Sequence, residues 1–167
     1  MKNIYITTGT EHFLRQILND HPSDNILLLQ NYNQSLLLQE SSDPTVFKEE
    51  STYHLLQNRG EIKGSGSVVF EYIMVRDEEI PLFLKLYQNL SVHFNETAGL
   101  QCIQLGQSLK NNKFIIIMFW DNASDYPLWK KTPHYQEIVK VMESNNTQIG
   151  FSHTDIYHFP EFTHDAK

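Results

Sequence analysis

The chain's two tryptophans, Trp120 and Trp129, stand close together, with Tyr126 shortly before Trp129 and His134 shortly after it. Aromatic rings at i, i+3 spacing share a helix face. Tyr126 and Trp129 can therefore wall an apolar ligand pocket, although the plainer reading of the same stripe is core packing. A carboxylate, Glu71, sits between Phe70 and Tyr72 in an apolar run. Facing the inside of a sheet it acquires a raised pKa and the potential for acid–base work; facing water it is an ordinary strand residue. His153 and Asp155 fall on one face of a strand and His158 on the other, which is a weak pattern for a metal site, so none is assigned. Cys102 reads as a small buried hydrophobe rather than a nucleophile. No G-x-S-x-G, P-loop, HExxH or CxxC motif occurs.

These groups need elements to hold them. Phe114 to Trp120 is an apolar run of strand length, followed by a polar turn and a helix-like segment that carries Trp129. Asp121 or Ser124 can cap that helix, Pro127 is tolerated only in its first turn, and Thr132-Pro133 interrupts it before a continuation from His134 to Ser144. Upstream, Ser67 to Val75 reads as a strand. Phe83, Leu86, Tyr87, Leu90 and Phe94 recur at helical spacing, and Leu100 to Leu105 is a further strand. Phe151 to Tyr157 completes a β-α-β-β-α-β order, the ferredoxin-like arrangement of an antiparallel sheet with two helices on one face.

The first part of the chain opens with a strand, Asn3 to Thr7, and a helix capped by Thr10 and ended by His21-Pro22. Asn25 to Gln30 and Ser35 to Gln39 flank a hairpin turn. Thr45 to Phe47 reads as a third short strand, and Ser51 as the cap of a brief helix over Thr52 to Gln57. The glycines Gly60, Gly64 and Gly66 mark a linker or wide turn between the parts. The expected organisation is an N-terminal α/β extension, residues 1–62, and a ferredoxin-fold domain, residues 63–160. The first part also parses as strand, helix, hairpin, helix, so the two halves read as two versions of one layer packed on each other.

Composition narrows the function classes. The formal charge is −7 with eight histidines counted neutral, and no segment concentrates Lys and Arg, which argues against nucleic acid as a partner. No apolar run reaches the ~18 residues of a membrane span, and the opening residues lack a signal-peptide core. A single cysteine fits a reducing cytoplasm.

Three stretches carry a family resemblance: Ile4-Tyr5-Ile6-Thr7-Thr8-Gly9-Thr10 with Phe13-Leu14; Asn25-Ile26-Leu27-Leu28 through Ser35 to Ser41 and Thr45-Val46-Phe47 to Gly60-Glu61-Ile62; and Phe114 to Trp129. Together they resemble proteins built on the antibiotic-biosynthesis-monooxygenase (ABM) fold of the dimeric α/β-barrel superfamily, α+β proteins here with an N-terminal extension. Two sets within that group are similar over about residues 1–160: the TRAP (target of RNAIII-activating protein) signalling proteins and the longer haem-degrading monooxygenases.

Haem-degrading members use an Asn on the first strand, a Trp on the second helix and an iron-ligating His ten positions after it. Carried onto this chain, the Trp is Trp129, the Asn position holds Glu71 and the His position holds Val139. A carboxylate adds charge where the family has a neutral amide, and valine cannot ligate iron. His134, five residues before Val139, points roughly 140° away around a continuous helix. The first functional expectation is therefore a TRAP-like regulator on a disused monooxygenase scaffold. The resemblance gives such a protein a signal-transduction, stress-response and virulence role, a peripheral place at the membrane, a regulatory protein partner and a phosphorylated His153. The second expectation is a haem-degrading monooxygenase, turning haem into an open-chain tetrapyrrole with release of iron, in which Glu71 and Trp129 are catalytic and His134 or His93 is a relocated ligand. A third is a cofactor-free monooxygenase of a small aromatic substrate. Because ABM domains pair, the resemblance also implies a homodimer.

Overall fold

The structure, a computed structural model, describes residues 2–22, 24–48, 50–146 and 153–160. β1 (Asn3–Gly9) leads into α1 (Glu11–Asp20), whose N-terminus is capped by the Thr10 hydroxyl accepting from the Phe13 N–H. The chain turns at His21, whose N–H donates to the carbonyls of Ile17 and Leu18. β2 (Ile26–Gln30) and β3 (Ser35–Ser41) form a hairpin. Its turn is fixed by Asn31 Oδ1, which accepts from the N–H groups of Asn33 and Gln34. Then follow β4 (Ser51–Gly60), β5 (Ser67–Met74), α2 (Ile80–Ser91), β6 (Leu100–Ser108), β7 (Lys113–Trp120), α3 (Asp125–Trp129), α4 (Pro133–Asn146) and β8 (His153–His158). Phe151 and Ser152, the expected opening of the last strand, lie outside the described residues.

All eight strands close into one antiparallel barrel in the order β1-β3-β2-β8-β5-β7-β6-β4. The halves are joined edge to edge, β4 to β6 and β2 to β8, rather than layered face on face. Closure removes the open sheet edges that two separate layers would each leave.

Two elements differ from the sequence reading. Thr52 to Gln57, expected as helix, lies within β4, hydrogen-bonded to β1 on one side and β6 on the other. Tyr53 there points into the barrel at 3% exposure, while Leu56 is exposed beside a bulge. Pairing with two neighbouring strands overrides a weak local helix pattern. Thr45 to Phe47 forms no strand; it is a loop that seats Phe47 against Leu14 of α1 and Tyr5 of β1.

The barrel explains the apolar run of β7. Ile115, Ile117 and Phe119 point inward to meet Ile4, Leu36, Phe70 and Tyr157, whereas Phe114, Ile116, Met118 and Trp120 point outward beneath α2, α3 and α4. A strand buried on both faces has no polar alternation to show. Cys102 points inward with 1% exposure, and burial pushes its thiol up to about 12, so it is the inert hydrophobe the sequence indicated.

Candidate active site

Glu71 stands at the middle of β5 on the outward face, between Val69 and Ile73, whose side chains enter the core under the helices. The carboxylate is 1% exposed, so the solvent-facing alternative does not hold. Two phenols reach its Oε2. Tyr135 of α4 donates at 2.8 Å, and Tyr126 of α3 donates through a short contact. Oε1 has no partner. Burial raises the Glu71 pKa, opposed by the two phenol hydrogen bonds and by the Lys130 ammonium. Lys130 lies over the face of Tyr126, 4.7 Å from the ring centre. The phenols are themselves pushed up by burial first and by the nearby carboxylate second, so they stay protonated donors.

Aromatic rings surround this carboxylate. Trp129 packs against Trp120 at 5.9 Å, Tyr126 at 6.3 Å and Tyr135 at 4.9 Å between ring centres. Trp120 Nε1 is buried without a hydrogen-bond partner. The sequence chain of causes is short. Pro127 lies in the first turn of α3, where its missing N–H costs nothing. The helix then breaks at 130–132, where Thr132 bonds back to the Trp129 carbonyl through both N–H and hydroxyl. Pro133 starts α4 on a new axis, bringing Tyr135 round to Glu71.

His134 is brought near this cluster but outside it. It is exposed beside Tyr135, and its ring stacks on His93, just past α2, at 4.3 Å. His93 Nδ1 lies 3.0 Å from Glu96 Oε1, an arrangement that holds the proton on Nδ1 and leaves Nε2 as a lone-pair donor. Val139 is half-buried against the core, consistent with a side chain that cannot serve iron. His153 stands elsewhere: it stacks on Tyr72 at 4.6 Å, across the sheet from Glu71, with Nε2 3.6 Å from Asp155. Among the described residues no group of three His, Cys, Asp or Glu side chains forms a metal cluster. No described helix is long and apolar enough to cross a membrane.

Sequence reasoning singled out Glu71, Tyr126, Trp129, His93 and His134; it did not single out Tyr135, which the structure brings to Glu71, or Glu96, which it brings to His93. Tyr135 falls outside the i, i+3 stripe because the helix breaks before it. Glu96 was legible only as an i+3 carboxylate after His93.

A consequence for stability follows from the sign of the Glu71 shift. A carboxyl whose folded pKa is raised contributes stability fully below its unfolded value, and that contribution is lost as pH rises through the folded value. Glu71→Gln has no such loss. Its stability relative to the parent protein is expected to improve steadily as pH rises above about 4.5, by ~1.4 kcal/mol per pH unit at most, as read by urea unfolding between acid and neutral pH.

Comparison with known proteins places this geometry. The model of the family described as antibiotic biosynthesis monooxygenase matches residues 67–141, which span β5 through α4 to Val141. A haem-degrading monooxygenase of Listeria monocytogenes is 56% identical over 167 residues, the whole of both chains. The crystal structure of a heme-degrading enzyme from Listeria monocytogenes superposes with a TM-score of 0.84 at 52% identity, covering 95% of this chain and 99% of that one. A monooxygenase-like protein from Listeria innocua gives 0.89 at 53% identity, covering 98% and 96%. The signal transduction protein TRAP of Staphylococcus aureus is 20% identical over 82% of each chain. That distance overturns the first expectation. The TRAP-like regulatory function gives way to the full-length likeness to a haem-degrading enzyme, and the phosphorylated His153, the membrane association and the regulatory partner lose their support with it. With the antibiotic biosynthesis monooxygenase model matching β5 to α4, and a haem-degrading monooxygenase 56% identical over its whole length, the chain belongs to the antibiotic biosynthesis monooxygenase family.

Proposed function

We propose that the protein is a haem-degrading monooxygenase, opening the haem ring to a linear tetrapyrrole and releasing its iron. The observation that carries this reading is the 56% identity over full length with the Listeria monocytogenes haem-degrading monooxygenase. Haem is the substrate in this reading; an external reductant supplies electrons and dioxygen supplies the inserted oxygen.

The residues fit a flat, apolar substrate with a metal at its centre. Trp120, Tyr126, Trp129 and Tyr135 offer ring faces, and two buried polar atoms, Glu71 Oε1 and Trp120 Nε1, lack partners. Burial raises the Glu71 pKa and so favours the carboxyl that carries a proton. Since both phenols donate to Oε2, that proton belongs on Oε1, and the group then acts as a neutral hydrogen-bond donor. This answers the objection that a carboxylate puts charge where the family carries an amide. His93, with Nδ1 held by Glu96 and its ring stacked on His134, supplies the Nε2 donor that position 139 lacks. Because Trp129 is only 7% exposed, haem entry requires the α3–α4 corner to swing off the sheet.

The test is reductant-driven turnover under air. The expected result is loss of haem absorbance with formation of an open-chain tetrapyrrole, much slowed in a Trp129→Phe, His93→Ala double variant. Equal loss in that variant would contradict the roles given to these side chains.

A further inference from the structure

The barrel repeats itself. In the second half the sheet runs β8-β5-β7-β6, which in that half's own order is fourth, first, third, second strand. In the first half β4-β1-β3-β2 is again fourth, first, third, second. The two inter-half seams exchange the same positions, the second strand of one half meeting the fourth of the other at both β2·β8 and β4·β6. The chain is therefore built as an internal pseudo-dimer with a two-fold relation between its halves.

The repeat extends to chemistry. Each half places a histidine just past its first helix, His21 after α1 and His93 after α2. Each histidine has Nδ1 facing a carboxylate three residues on: Asp24 at 3.6 Å and Glu96 at 3.0 Å. In the second half, α3 and α4 follow the third strand and cover the outer face of the first strand. In the first half only the loop after β3 does so, pinned by the Tyr5 hydroxyl donating to the Asp43 carbonyl at 3.0 Å. The outer face of β1 is thus left with a groove of about 510 Å³, lined on the α1 side by Phe13, Ile17, Asp20 and His21 and on the loop side by Phe47 and Lys48, among others. Phe13 is 53% exposed on this groove, an apolar ring open to solvent. The volume is that of a small-molecule site.

We infer that this groove is a second site for an anionic tetrapyrrole such as haem, with the apolar walls receiving the ring, His21 Nε2 as iron donor and the Lys48 ammonium pairing with a carboxylate at the ring edge. The inference rests on the reading of the second half as a haem site, and the experiment separates the two. Haemin is titrated into the intact protein, into His21→Ala and into His93→Ala, following the ligated Soret band, with circular dichroism confirming that each variant is folded. His21→Gln serves as a second variant, since it keeps a polar group within reach of Asp24 while removing the donor. The expected result is saturation at two haemin per chain in the parent and one in each variant. Saturation at one haemin, lost in His93→Ala and unaffected in either His21 variant, overturns the second site and leaves the proposed function standing. Saturation at one haemin, lost only with His21, overturns the site proposed in the second half. Two haemin that persist in both His21 variants overturn the groove as the location, and no ligated band at any ratio overturns both readings.

Discussion

His93→Ala is expected to lose one of the two ligated haemin, keeping the one held by His21, and to slow haem degradation by about 100-fold or more. The reasoning begins from Val139, which fills the usual ligand position and is packed against the core. Iron must then find its donor elsewhere, and the α2–α4 rim presents His93 and His134 stacked face to face. Of the two, His93 has its Nδ1 committed to Glu96, which fixes the tautomer that exposes Nε2. Losing only such an outer partner costs ~10–100-fold in affinity or activity, so Glu96→Gln is expected at the lower end of that range and the loss of the donor itself beyond it. Absorbance titration and single-turnover kinetics read both effects. A full ligated spectrum in His93→Ala, with its loss in His134→Ala, would move the role to His134.

Gly66→Ala is expected to destabilise the protein by about 2–6 kcal/mol. Gly66 has φ +95°, a conformation costly for any residue with a Cβ, and an added Cβ would lie 2.2 Å from the Trp120 carbonyl oxygen. Backbone strain contributes ~1–3 kcal/mol and the forced shift of β7 a similar amount. Gly64 is the control. Its φ is +87° but nothing lies within 4 Å of its Cβ position, so Gly64→Ala carries the strain without the clash and is expected at ~1–3 kcal/mol. Urea midpoints at unchanged slope give both values. Equal effects at the two positions would contradict the close approach of residue 66 to β7.

The glycines show where the sequence was legible and where it was not. Their clustering marked a turn, and a turn is there, but spacing along a chain carries no distance to Trp120, a strand away. The ferredoxin-like order of the second half was readable because α2 and the strands around it obey strong local periods. β4 was not readable, since its extended form comes from hydrogen bonds to β1 and β6, which no local pattern encodes. The edge-to-edge closure of the halves was hidden for the same reason. At the site, Glu71 and Trp129 stood out by type, whereas the direction of Glu71 depended on Tyr126 and Tyr135 converging from two helices separated by a break. The functional misreading has a physical root as well. Val139 at the ligand position reads as a missing site, whereas the proposed replacement donor, His93, lies just past α2, and the sequence shows the charge of Glu71 without its burial.

Iron release is the measurement that tests the central claim most directly. Haem-loaded protein is given excess reductant in air, and free ferrous iron is captured by a chromogenic chelator while the Soret band is followed. The account predicts iron appearing in step with haem loss, at a rate that depends on Trp129 and His93 and falls to background without dioxygen. Haem that is bound and reduced but keeps its absorbance and its iron would contradict it.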